Sequence, residues 1–175
     1  MTALARNMAA MTLSPRLALV LAILAGGAAL GVAFGSEWFA GLVPCALCLV
    51  ERWPWRIAIA LGVVGLLLPR RFARIPVAMV VVVVLAAAVM AAIHVGVEAK
   101  WWPSPLPECA APHLVGGSAS SLLASMPDKP SKPCDDPTYL IPGVPVSMAA
   151  MNFVFALVVA GFMAMCMTRR SRTFP

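Results

Sequence analysis

The sequence predicts an all-α membrane protein built as a bundle of four transmembrane helices. Hydrophobic residues fill 62% of its 175 positions, charged residues fill only 11%, and the mean hydropathy is +0.92. A soluble domain of this size needs more polar surface than that composition supplies. Four apolar segments approach the length of about 20 residues that a helix needs to cross the hydrocarbon layer. Arginines cluster beside the ends of these segments, as they do at the cytoplasmic side of membrane helices.

Three of the spans are predicted at 17–34, 75–97 and 146–167, and none of them contains a charged side chain. The second span is less regular, because its clean apolar run, 57–68, has only 12 residues. A helix of that length covers about 18 Å, so we expect the span to begin upstream, at 49–68. This extension brings Glu51, Arg52 and Arg56 to the outer membrane boundary, together with Pro54.

The basic residues predict the orientation of the chain. Three groups of arginines flank the spans, namely Arg6, Arg16, Arg70, Arg71, Arg74, Arg169, Arg170 and Arg172. They place segments 1–16, 69–74 and 168–175 in the cytoplasm, so both termini are expected there. The same eight arginines are most of the 13 basic residues behind the net charge of +6. We therefore expect the lipid bilayer, and not nucleic acid, as the partner of this charge.

Four of the five cysteines fall in the two loops on the other side of the membrane. Cys45 and Cys48 have the C-x-x-C spacing in the short loop 35–48, and Pro44 is suited to begin a helical turn whose N-terminus favours thiolate. Cys109 and Cys134 lie in the long loop 98–145, which carries ten of the 16 prolines. Disulfides persist on this face. A bridge between these two is expected to be mobile, open to water and able to exchange with the first pair.

Polar residues near the C-x-x-C suggest a use for it. Cys48, Arg52 and Arg56 recur every four residues, so a continuous helix carries them as one stripe, with Arg52 one turn from a sulfur. Arg56 is expected to reach the lipid head groups, with Trp53 and Trp55 in an aromatic belt. His94, near the outer end of the third span, can donate a hydrogen bond at the same depth. Cys166, within the last span, is expected only to pack.

Several motifs together resemble the DsbB family of bacterial disulfide-forming membrane proteins. These motifs are Pro44-Cys45-x-Leu47-Cys48-x-x-Glu51-Arg52, His94-x-Gly96-x-Glu98, Trp101-Trp102-Pro103 before Cys109, and Cys134-Asp135-Asp136-Pro137. The resemblance covers nearly the whole chain and makes the loop 98–145 a long proline-rich periplasmic loop. It implies an inner-membrane enzyme that reoxidises a periplasmic DsbA-like thiol oxidase and passes the electrons to membrane quinone, either ubiquinone or menaquinone.

The resemblance also implies a role for each site residue. Cys109 forms the mixed disulfide with the partner, and the released Cys134 attacks Cys45. Cys48 then leaves as a thiolate beside the quinone, which Arg52 and His94 contact. No metal is implied.

Two alternatives remain open from the residues alone. A quinone-linked enzyme of the vitamin K epoxide reductase type also combines four helices, a C-x-x-C and loop cysteines, although its C-x-x-C falls late in the chain. A non-enzymatic membrane protein is the other alternative, with the four cysteines serving as structural bridges or as zinc ligands.

Overall fold

The computed structural model describes residues 14–109, 120, 132–141 and 143–168, and this part of the chain contains helices and no strand. Three helices are long: α1 (Pro15–Ala40), α4 (Arg74–Glu98) and α5 (Met148–Thr168). Two are shorter: α2 (Ala46–Val50) and α3 (Arg52–Leu67). Single 3-10 turns lie at Arg70–Phe72 and Pro107–Cys109. The chain is therefore largely helical, as expected.

Three segments of the described residues are long and apolar enough to cross a membrane: Pro15–Ala40, Arg70–Glu98 and Met148–Met167. The second predicted span differs from a single continuous helix, since a turn at Glu51 separates α2 from the 16-residue α3. Pro54 explains the interruption, because it has no amide hydrogen to donate to the carbonyl of Val50. At 1.5 Å per residue α3 is about 24 Å long, which is short for a span of its own.

Helices α1, α3, α4 and α5 pack side by side around small side chains. α1 packs against α3, α3 against α4, and α4 against α5. Alanines and valines form most of the buried core, whereas larger side chains such as Leu24, Val82 and Val158 are exposed on the outside. Small residues at helix contacts and large apolar residues facing outward are typical of a bundle that lies in lipid.

The contact between α1 and α3 is close because a glycine of each helix faces the other. A Cβ on Gly62 would lie 2.6 Å from the Ile23 side chain, and one on Gly26 would lie 2.7 Å from Ile59. The absence of side chains at these two positions allows the two backbones to approach. This close contact sets the position of the α3 residues that follow the cysteine pair.

The bundle has two chemically different ends. The cysteine end contains the end of α1, all of α2, the end of α4 and the start of α5. The arginine end contains the start of α1 and the turn between α3 and α4, with Arg16, Arg70, Arg71 and Arg74. The other four arginines of the orientation argument, Arg6, Arg169, Arg170 and Arg172, lie outside the described residues.

At the cysteine end, α1 continues six residues past the predicted span, from Phe34 to Ala40. Glu37 therefore lies on a helix and not in a loop. The end of α4 is held by two contacts. The Trp102 side chain donates a hydrogen bond to the carbonyl of Ile93 over 3.1 Å, and the Ser147 hydroxyl donates to the Glu98 carboxylate. The Trp102 ring also fills the space beside Gly96, where any Cβ would overlap with it.

Candidate redox site

The first cysteine pair lies at the N-terminus of α2. Cys45 is the N-cap residue, with extended backbone angles, and its sulfur accepts a hydrogen bond from the backbone N–H of Cys48 over 3.2 Å. The two sulfur atoms are 2.7 Å apart and are not joined in a disulfide. The C-x-x-C spacing over one helical turn thus brings both sulfurs to the same place, where they can close into a disulfide with little backbone movement.

The two thiols of this pair differ in acidity. When Cys45 is a thiolate it accepts a hydrogen bond from the Cys48 thiol, and this bond lowers the pKa of Cys45. The same bond raises the pKa of Cys48, and burial of Cys48 raises it further. Burial and Glu51 oppose the effect on Cys45 but do not outweigh it. Cys45 is therefore the more acidic sulfur of the pair in the dithiol form.

This asymmetry predicts a titration difference between two variants at Cys48. In Cys48→Ala the donor to the Cys45 sulfur is lost, so the Cys45 pKa is expected to rise relative to that in Cys48→Ser, whose hydroxyl still donates. A group with a lowered pKa becomes charged at lower pH, so the ultraviolet absorbance of the Cys45 thiolate should appear at higher pH in the alanine variant. Both variants are compared in a Cys166→Ala background with the loop disulfide intact. Coincident titrations in the two variants would contradict the assignment.

A hydrogen-bonded chain runs from Cys45 into the bundle. His94 Nε2 lies 3.5 Å from the Cys45 sulfur, and His94 Nδ1 lies 2.6 Å from Glu51 Oε1. Asn152 donates to the other Glu51 oxygen over 2.7 Å, and Trp55 Nε1 donates to Asn152 Oδ1 over 3.0 Å. A carboxylate facing Nδ1 fixes the proton on that nitrogen and leaves Nε2 as an acceptor for a proton from the thiol pair. The chain joins α2, α3, α4 and α5.

Trp55 differs from its expected place in an aromatic belt, because its side chain is buried and not at the membrane surface. Its ring also packs against Phe155 at a centroid distance of 5.3 Å. Trp53 is exposed, as a belt residue would be. Residues two apart on a helix point to roughly opposite faces, so Trp53 and Trp55 have opposite environments.

Arg52 is buried, with 7% of its surface exposed, and forms an ion pair with Glu37 of α1. Its guanidinium also lies 4.8 Å from the centre of the Phe34 ring. Its Nε is buried and has no hydrogen-bond partner among the described residues, so one donor is left for a further acceptor. Arg56, the third member of the predicted stripe, is exposed and lies over the Trp53 ring at 5.2 Å.

These side chains meet at one cavity of about 370 Å³ at the cysteine end. Its polar lining comes mainly from Cys48, Glu51, Arg52, His94 and Asn152. The rest is mostly apolar and comes from α1, α3 and α5, including Ala29, Ala33, Trp55, Met148, Met151 and Phe155. A largely apolar cavity of this size with a few converging polar groups suits a flat, lipophilic ligand with polar edges. Cys48 lines it, whereas Cys45 lies behind, against His94.

The second cysteine pair, Cys109 and Cys134, is joined in a disulfide. Only 4% of Cys109 and 1% of Cys134 is exposed, so the expectation of a water-exposed bridge is wrong. The bridge is buried because it packs in one cluster with Cys45, Leu47 and Val97. Lys132, two residues before Cys134, pairs with Cys45 through a single β-bridge. The two cysteine pairs are therefore neighbours, and the sulfurs of the bridge are shielded from water.

The structure brings together every residue predicted for the site, namely Cys45, Cys48, Cys109, Cys134, Arg52 and His94. Cys166 lies near the far end of α5, outside this arrangement. Sequence reasoning missed the contribution of Glu37, Asn152 and Trp55 and did not give Glu51 a role. The sequence did contain a signal for Asn152, because it is an amide within an otherwise apolar span. Burying a polar group at membrane depth is unfavourable unless the group is paired, so such a residue indicates a functional contact.

Comparison with known proteins identifies one family. A family model described as "Disulfide bond formation protein DsbB" matches residues 15–166, which is most of the chain. No curated protein and no solved structure matches the chain. The family match confirms the resemblance drawn from the motifs.

Proposed function

Because the chain belongs to the DsbB family of disulfide bond formation proteins, we propose that it is a thiol:quinone oxidoreductase of the bacterial inner membrane. It reoxidises a periplasmic DsbA-like thiol oxidase and passes two electrons to ubiquinone or menaquinone. The observation that carries the proposal is the cavity at the cysteine end, where Cys48, Arg52 and His94 meet. The cysteine end faces the periplasm, the arginine end and both termini face the cytoplasm, and the predicted span 49–68 forms a fourth crossing.

The electrons enter at the loop disulfide. A thiolate of the reduced partner attacks Cys109, which breaks the Cys109–Cys134 bond and forms a mixed disulfide with the partner. The partner's second thiol then releases Cys109 and leaves the partner oxidised. Each exchange moves two electrons as one bond forms and another breaks, so no further oxidant is needed at this stage. Burial of the bridge means that the partner must displace part of its cover.

The electrons then pass to the first pair. Cys134 attacks Cys45 of the Cys45–Cys48 disulfide, and Cys48 leaves. Attack of Cys109 on Cys134 restores the loop disulfide and releases Cys45. This transfer is supported by the common cluster of Cys45, Cys109 and Cys134. A loop disulfide beside a Cys45–Cys48 dithiol is the product of this step.

The buried hydrogen-bonded chain that begins at Cys45 provides the route for the protons. Cys48 faces the cavity but holds its proton in a hydrogen bond to Cys45. Transfer of this proton to Cys45, and of a proton from Cys45 to His94 Nε2, leaves Cys48 as the thiolate. Glu51 holds the Nδ1–H of His94 and stabilises the imidazolium that results. This relay allows the less acidic sulfur of the pair to act as the electron donor.

The lining of the cavity fits a quinone ring. A bound quinone supplies the two-electron, two-proton acceptor, which must be more oxidising than a DsbA-type protein at about −120 mV. Arg52 has a buried Nε without a partner, and a ring carbonyl is an acceptor of the kind it lacks. Its positive charge also stabilises negative charge on that oxygen and on the Cys48 thiolate. The apolar walls from α1 and α5 exclude water from the ring.

Arg52→Ala tests the quinone part of the proposal. We expect the KM for a soluble quinone to rise about tenfold or more, because a hydrogen bond from a charged donor contributes about 1.5–3 kcal/mol. Thiol exchange with the partner in the absence of quinone should be unchanged. Arg56→Ala is the matched control, since Arg56 is four residues away and exposed. An equal KM in wild type and Arg52→Ala would remove Arg52 from the quinone site.

A zinc site remains the second candidate, because Cys45, Cys48 and His94 offer three ligand atoms within 4.8 Å of one another. The geometry favours redox chemistry instead. Two thiolates on a tetrahedral zinc, each about 2.3 Å from the metal, lie nearly 4 Å apart, whereas these sulfurs are 2.7 Å apart. Cys109 and Cys134 are bonded to each other and provide no ligand. Stoichiometric zinc in the purified protein would favour the metal site.

A further inference from the structure

A second cavity, of about 550 Å³, lies at the arginine end of the bundle, away from the cysteine pairs. It forms where the start of α1 meets the turn between α3 and α4. Its lining is short and strongly basic: Ser14, Pro15, Arg16, Arg70, Arg71, Ala73 and Arg74. Four arginines from two separate parts of the chain therefore line one concave space. The proposed electron route uses none of them.

The positive charge of this cavity is not neutralised within the described part of the chain. The ion pairs there are Arg52 with Glu37, His94 with Glu51 and Lys132 with Asp136, and none includes an arginine of this cavity. No acidic side chain lines the cavity. Arg16 adds a more specific signal, because its Nε is buried and has no hydrogen-bond partner among the described residues. A buried donor without an acceptor is uncommon, and it indicates a missing ligand or water.

Ser14, the uncharged polar residue of the cavity lining, can also donate a hydrogen bond. The Ser14 hydroxyl oxygen accepts the backbone N–H of Leu17 over 3.2 Å as the N-cap of α1, which leaves its own proton free to point elsewhere. The cavity lining thus contains a hydroxyl and four arginines, and none of these arginines forms an ion pair within the described residues. Planar guanidinium groups match the paired oxygens of a phosphate.

We propose that this cavity binds the phosphate of an anionic phospholipid. The position favours a lipid, because the cavity lies where the apolar helices α1 and α4 begin, at the level of the lipid head groups. Basic pockets between membrane helices on the cytoplasmic side are suited to such head groups. The topogenic role of arginine needs only charge near the span, and it does not require arginines to converge on a cavity or a buried Nε to lack an acceptor.

The binding of phosphatidylglycerol to protein purified in a neutral detergent tests the proposal. Native mass spectrometry measures the dissociation constants of phosphatidylglycerol and phosphatidylcholine. Wild type is expected to prefer the anionic lipid. Arg16→Gln should weaken phosphatidylglycerol binding about fivefold, since one arginine near a lipid surface contributes about 1 kcal/mol. Lys100→Gln, which removes an exposed charge just after α4 at the cysteine end of the bundle, should leave that constant unchanged.

Arg16→Lys keeps the charge if the glutamine variant folds poorly, and it should still lose part of the affinity because the guanidinium fork is gone. Three results would overturn the proposal: equal affinity of wild type for the two lipids, equal weakening by Arg16→Gln and Lys100→Gln, or displacement of the lipid by inorganic phosphate at the same concentration as the lipid. The last result would assign the cavity to a free anion. Quinone reduction by the same variants is an independent readout, so failure here leaves the redox proposal standing.

Discussion

Replacing Cys48 with alanine is expected to abolish quinone-dependent oxidation of the reduced partner. Cys48 is the sulfur that lines the cavity, so without it the electrons have no route from the first pair to the acceptor. Cys45→Ala should have the same effect, because Cys45 receives the electrons from Cys134. Turnover is measured as quinone reduction in the presence of excess reduced DsbA-like protein, and both variants should fall to the rate without enzyme.

The control for this result is Cys166→Ala, which removes a cysteine from the far end of α5 and should keep full turnover. A partial reaction adds a second check. In the Cys48→Ala variant the Cys109–Cys134 bridge is still present, so a single round of partner oxidation should occur without quinone and then stop. Sustained turnover in Cys48→Ala or Cys45→Ala would reject the first pair as the electron exit.

Glu51→Gln is expected to lower the rate constant for quinone reduction about 10- to 100-fold, the effect that loss of a carboxylate holding a histidine has at metal sites. Glu51 is buried and accepts hydrogen bonds from both His94 and Asn152. A neutral amide stabilises the imidazolium less than a carboxylate does. The NH₂ group of the glutamine side chain would also point at His94 or Asn152, where two donors meet and no hydrogen bond forms. The measurement is single-turnover reoxidation of the prereduced protein by quinone, which excludes the partner steps.

Two comparisons separate this role from a general loss of structure. Glu108→Gln changes an exposed acid at the same end of the bundle and should reoxidise at the wild-type rate. The KM for quinone in Glu51→Gln should change less than the rate constant, because Arg52 and the apolar walls are retained. If the two glutamine variants were reoxidised at the same rate, the proton relay through His94 would have to be abandoned.

Much of this arrangement could be predicted from the sequence because the strongest signals are local. The C-x-x-C spacing brings Cys45 and Cys48 together within one turn, and Arg52 lines the same cavity as Cys48 although the helix is interrupted at Glu51. The absence of charge over long segments indicates helices that lie in lipid, and the joint motif pattern identified the family. These inferences depend only on helix periodicity and on the cost of burying charge.

The remaining features depend on contacts between distant parts of the chain. Asn152 reaches Glu51 from a helix 101 positions away, and Glu37 reaches Arg52 only because α1 continues beyond the predicted span. Burial of the Cys109–Cys134 bridge depends on how the loop folds back over α2. A proline-rich composition indicates an irregular loop but does not reveal which surface the loop packs against.

The central claim is that the Cys48 thiolate lies beside a quinone in the cavity at the cysteine end. Visible spectroscopy of the purified protein with added quinone tests this claim directly, because electronic contact between a thiolate and a quinone ring produces a colour that neither has alone. We predict that a new absorption band appears when the first pair is reduced, that it weakens in Arg52→Ala, and that it is absent in Cys48→Ala. A band that persisted in Cys48→Ala, or no band in the reduced wild-type protein with quinone bound, would contradict the account.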